Sequence, residues 1–101
     1  MATAVVMDFK GATLDQYDKV MVLMGLDAGH DMPEGGISHW VCATDEGIRV
    51  TDVWESRGQF ETFAQEQIGP FSQQAGVPEA PTVIFHDVHN HMIHGEAGVQ
   101  A

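Results

Sequence analysis

Ile48-Arg49-Val50-Thr51-Asp52-Val53-Trp54-Glu55-Ser56-Arg57-Gly58-Gln59-Phe60 changes its period part-way along. Read as a strand, Ile48, Val50, Asp52 and Trp54 point one way, and Arg49, Thr51, Val53 and Glu55 point the other. Ser56 and Gln59 then fit a capping box, in which the Ser hydroxyl accepts from a free backbone N–H and the Gln side chain reaches back. Phe60, Phe63, Ala64, Gln67 and Ile68 follow at spacings of three and four, which predicts a helix with one apolar face. Phe71 lies just beyond. Pro70 is expected to weaken or end the helix, because proline has no N–H and its ring crowds the preceding turn.

Working backwards, Asp45-Glu46-Gly47 reads as a tight turn, with Gly47 available for positive φ. Ile37 to Thr44 regains strand character, so these two strands form a hairpin. Residues 27 to 36 carry Asp, Gly, His and Pro and read as a loop. Thr13 to Gln16 is another capping box, and Leu14, Tyr17, Val20, Met21 and Met24 give the first helix its face, ended by Gly25 and Gly29. Ala4 to Phe9 is the first strand, broken by Gly11. Working forwards, Gly76 to Pro81 is a loop, Thr82 to about His91 is the last strand, and the end is frayed. The order is β-α-β-β-α-β: an α+β, ferredoxin-like plan with an antiparallel sheet and both helices on one face. One domain over 1–101 is expected, with a core at about 4–95 and a flexible tail at 96–101. Val5 with Val6, and Val83 with Ile84, leave apolar groups on the face the helices do not cover, and a second copy of the chain is the natural cover.

The 101 residues hold 15 Asp and Glu against 4 Lys and Arg, a net charge of -11. That balance argues against nucleic acid and against anionic membrane surfaces as partners. No apolar run approaches the roughly 18 residues of a membrane span, and Met1 to Lys10 does not read as a signal peptide. Cys42 is the only cysteine, so no internal disulfide forms, which fits a cytoplasmic location.

The segment Val50-Thr51-Asp52-Val53-Trp54-Glu55-Ser56 resembles the V-x-D-V-W-E-S junction of dimeric α+β barrel proteins. So do the following Gln59-Phe60-Glu61-Thr62-Phe63 and the later Val88-His89-Asn90. The superfamily includes small proteins of the antibiotic biosynthesis monooxygenase kind, as well as cyclases, isomerases and haem-degrading enzymes. The resemblance implies two sheets packed into a barrel across a two-fold axis, and a cavity between each sheet and its own helices. Trp54 matches a Trp that lines this cavity in the monooxygenase branch. The Asn/Trp/Tyr/Arg set of the quinone-forming members is not matched, Tyr17 is the only tyrosine, and neither expected helix holds a His of the haem-degrading kind.

Four of the six histidines lie between His86 and His94. On a strand, His89 and His91 would share a face with Asp87 at about 7 Å, a workable chelate for a transition metal ion with Asp87 or His39 as third ligand. The implied dimer also suggests that His39 meets the partner's His91 or the partner's His94. Asp52 shares a strand face with Trp54. A carboxylate facing a cavity needs a His or Arg partner, and an Asp–His couple is a candidate general base. Asp8 is another carboxylate of this kind. The candidate catalytic residues are therefore His89, His39, Asp52 and Asn90. The candidate substrate-binding residues are Trp54, Phe9, Met7 and Met24, and the candidate metal ligands are His89 and His91.

Three functions fit. The first is a cofactor-free enzyme on a hydrophobic, aromatic or polyketide-like substrate, monooxygenase-, cyclase- or isomerase-like, with a His general base. The second is a metal-dependent enzyme of the same fold. The third is a non-catalytic ligand-binding or stress-associated homodimer.

Overall fold

The computed structural model describes residues 1–27 and 31–94. Gly29 and the tail expected at 96–101 lie outside the described residues. The elements are β1 (Thr3–Lys10), α1 (Leu14–Met24), β2 (Gly36–Ala43), β3 (Gly47–Trp54), α2 (Arg57–Phe63), a π-helical turn (Ala64–Ile68), α3 (Gly69–Gln74) and β4 (Thr82–Asp87). The sheet order is β2-β3-β1-β4, and all three neighbouring pairs are antiparallel. This is the expected ferredoxin-like α+β architecture.

The strand period sorts the sheet into two faces. Val5, Met7 and Phe9 of β1, with Ile48, Val50 and Trp54 of β3, are buried against Phe60 and the helices. The opposite face carries Val6, Trp40, Thr51 and Ile84. Asp8 lies on that opposite face, where Arg49 Nε and Nη2 donate to its two oxygens at 2.8 and 3.2 Å. It therefore does not serve the helix-side cavity.

The capping box at Thr13 forms: the Thr13 N–H donates to Gln16 Oε1 at 3.0 Å, and the Gln16 N–H donates to Thr13 Oγ1 at 3.1 Å. Gly25 ends α1 at φ 75°, and the Leu26 N–H returns to Met21 O at 2.9 Å, a closure that needs the left-handed region. At the second helix the Gln59 N–H donates to Ser56 Oγ, but the Ser56 hydroxyl itself donates to Gln59 Oε1. The box there is half of the expected one.

Two expectations are corrected and a third holds in part. The α-helix is weakened just before Pro70, as expected, but the helical segment does not end there. The Gly69 N–H reaches back five residues to Ala64 O, and Pro70 lies in the first turn of α3. The wider π turn removes the clash that a proline makes inside an α-helix, and a helix start does not need its N–H. Gly47 does not adopt positive φ. It is needed for space, since a Cβ there would lie 2.0 Å from Phe9 O. Finally, β4 ends at Asp87 and not near His91. Among the described residues its only partner is β1, whose ladder ends at Thr3 opposite Asp87. One further bond, from the Val88 N–H to Ala2 O at 2.9 Å, closes the pairing.

Candidate functional site

A cavity of about 650 Å³ lies between the sheet and the helices, within the range of small-molecule sites. Its floor is the helix-side face of β1, β2 and β3, including Met7, Phe9, His39 and Asp52. Met24 and Val20 of α1 form one wall, and Phe63 and Ile68 of the second helical segment form another. Trp54 backs the cavity but is fully buried, so its indole presents no free face to a ligand. It packs against Phe60 and Phe63 at centroid distances of 5.7 and 5.2 Å.

The polar groups of the floor form one chain of hydrogen bonds. Asp52 is 4% exposed. Trp54 Nε1–H donates to Asp52 Oδ2 at 3.0 Å, and His39 Nδ1 lies 2.7 Å from Asp52 Oδ1. The other His39 nitrogen, Nε2, meets the Tyr17 hydroxyl. An ionised carboxylate only accepts, so His39 Nδ1 must carry a proton. In the neutral ring Nε2 then holds a lone pair and accepts from Tyr17 O–H. Asp52 fixes both the tautomer and the angle of the ring, as the carboxylate does in a nucleophile–His–Asp triad. No buried side-chain nitrogen or oxygen among the described residues lacks a partner.

Tyr17 is held as a phenol. Burial, with the nearby Asp52 and Asp18 charges adding to it, pushes its pKa up from 10.0 to about 12. Because the folded-state pKa is raised, the stability linked to this group is full below pH 10 and lost as pH rises from 10 towards 12. Tyr17 is the only tyrosine, so phenolate absorbance near 295 nm reports it alone. We expect a midpoint well above 10 in folded protein, falling to about 10 in urea; a folded midpoint at 10 would contradict this environment.

The structure joins two of the candidate catalytic residues, His39 and Asp52, as directly opposed partners of β2 and β3. All four candidate substrate-binding residues border the cavity. His89 and Asn90 are exposed, lie past the end of β4 and do not line it. His91 Nε2 lies 3.2 Å from Ser38 Oγ. The shared strand face that would converge His89 and His91 is therefore absent, and no three His, Cys, Asp or Glu side chains converge on a metal position among the described residues. Both His39 nitrogens are engaged within its own chain, so it does not reach towards a partner's histidines.

Sequence reasoning missed Tyr17 as a site residue. A signal existed: a phenol within an apolar helix stripe needs a hydrogen-bond partner. The His39–Asp52 pairing also follows from the hairpin turn, since the register set by Ala43 opposite Ile48 carries through to these two residues.

No family model matches the chain, and no curated protein matches it. Among solved structures, the chain is similar to the crystal structure of a monooxygenase from the gene ActVA-Orf6 of Streptomyces coelicolor, in complex with the ligand nanaomycin D. The TM-score is 0.56 and the identity 17%, over 93% of this chain and 92% of that one. At that identity the likeness carries the fold: this chain has the ferredoxin-like α+β fold of that monooxygenase, the fold that its Val50–Ser56 segment implies.

Proposed function

We propose that the chain is a small enzyme of the monooxygenase-like kind, working without a bound cofactor on an aromatic or polyketide-like substrate in the cavity. The observation that carries this reading is the His39 ring, with Asp52 on one nitrogen and the Tyr17 hydroxyl on the other. A substrate O–H or activated C–H gives its proton to the Tyr17 oxygen as Tyr17 passes its own to His39 Nε2. Asp52 stabilises the imidazolium, and Trp54 holds Asp52. A free Tyr17 phenolate, which burial disfavours, never forms. Tyr17 then donates a hydrogen bond to the new substrate anion, and His39 stands ready to return the proton.

An electron-rich carbanion can react with dioxygen, taking a CH2 group and O2 to a C=O group and water. Support for this outcome comes from the solved monooxygenase of the same fold. The test is oxygen uptake by chelator-treated protein with anthrone, an aromatic ketone with an acidic CH2 group. Protein-dependent conversion to anthraquinone is expected. Its absence, together with absent proton exchange at that carbon, would end the reading.

We also propose a homodimer. The open sheet face exposes Trp40 at 54% and Ile84 at 51%, on either side of the Asp8–Arg49 pair. Large apolar groups on one sheet face are usually covered by another layer. Sedimentation at micromolar concentration is expected to give a two-chain mass, and a one-chain mass would refute the dimer.

A further inference from the structure

The chain has four Lys and Arg residues, and none lines the cavity. Lys10 and Lys19 are exposed, at the end of β1 and on α1. Arg49 is paired with Asp8 on the far face of the sheet. Arg57 lies 3.4 Å from Glu61 and 3.9 Å above the Phe85 ring. The lining instead contains four carboxylates: Asp52 at the floor, and Asp18, Asp27 and Asp31, all exposed. Among the described residues its only other titratable groups are Tyr17 and His39.

We propose that this cavity selects its ligand by charge, admitting uncharged aromatics, favouring those that carry an amine, and rejecting those that carry a carboxylate or other fixed anion. The inference rests on the cavity being the substrate site. A ligand anion would lose water on entry and meet no Lys or Arg in return. His39 cannot serve as its counterion, because a protonated ring is already matched by Asp52 at 2.7 Å. An ammonium also loses water, but it gains from the nearby carboxylates.

The chemistry agrees with this selection. When a neutral substrate gives up its proton to His39 through Tyr17, the proton stays in the site and the total charge of the cavity does not change. By this route no net charge is brought into the site, whereas a substrate that arrives already charged adds its own.

Three probes with one ring system separate charge sign from desolvation: methyl 6-hydroxy-2-naphthoate, 6-hydroxy-2-naphthoic acid and 6-(aminomethyl)-2-naphthol. Each is titrated into 15N-labelled full-length protein at pH 7.5, at low salt and at about 0.5 M salt, where surface charges are largely screened. The ester and the amine are expected to shift resonances around Tyr17, His39 and Phe63, with the amine binding tighter at low salt. The acid is expected to bind at least about tenfold more weakly than the ester, a factor worth about 1.4 kcal/mol. The combined variant Asp18→Asn, Asp27→Asn, Asp31→Asn should remove the amine's advantage and narrow the acid's deficit.

Acid and ester binding equally in the cavity would overturn charge selection and leave the proposed reaction standing. An unchanged order in the combined variant would overturn the part given to these aspartates. No cavity shift with any probe would overturn the inference together with the reading it rests on.

Discussion

Changing His39 to Gln is expected to lower anthrone turnover by about a hundredfold to ten-thousandfold, the range that a positioned general base contributes. His39 is the only described side chain in the cavity with both a basic nitrogen and a fixed orientation. Its Nδ1–H is committed to Asp52, which leaves Nε2 as the proton acceptor. Gln is uncharged and close in size, and its amide offers a donor in place of Nδ1–H. Thermal unfolding should therefore move little, and the loss should appear in kcat more than in KM. Retained turnover in a folded His39→Gln protein would remove this residue from the mechanism. By contrast, His89 lies past the end of β4 and outside the cavity lining, and its replacement by Ala is the natural control.

Trp54→Ala is expected to cost the fold about 3–5 kcal/mol, the usual range for emptying a large aromatic site. Trp54 is 0% exposed and meets Phe60 edge-on with interplanar angle 73°, so no neighbour fills its space without moving. The loss also leaves Asp52 with one donor where it had two. A small domain has about 5–15 kcal/mol in all, and a loss of this size lowers the midpoint by tens of degrees. Chemical denaturation checks it directly. Trp54→Phe should keep much of the packing but still free one side of Asp52. A change below about 1 kcal/mol for Trp54→Ala would contradict the packing described.

Local signals in the sequence set most of the fold. The Thr13–Gln16 box, the change of period at Ser56 and the Asp45–Gly47 turn each act within a few residues, and each marks a real boundary. What was not legible depended on distant partners. The length of β4 is set by where β1 begins, not by the β-propensity of Val88 or the histidines after it. The passage through Pro70 depends on a single wide turn that no short motif announces. In the site, His39, Asp52 and Trp54 were each visible as candidates. The His39–Asp52 pair follows from the hairpin register, but its link to Tyr17 was not legible, because that hydroxyl comes from α1 and reaches His39 only once the helix lies across the sheet. The cluster from His86 to His94 drew attention by density alone, and a run of histidines says little about convergence until the strand it rides on is known to continue.

The most direct measurement is hydrogen–deuterium exchange at the acidic CH2 of anthrone, followed by NMR in D2O under argon. Without dioxygen only the proton transfer is read, separated from whatever follows it. Catalysed exchange by the native protein, reduced at least a hundredfold in His39→Gln and unchanged in His89→Ala, is the expected result. Exchange no faster than in buffer, or equal in native protein and His39→Gln, would contradict the assignment of the Tyr17–His39–Asp52 chain as the proton-transfer site.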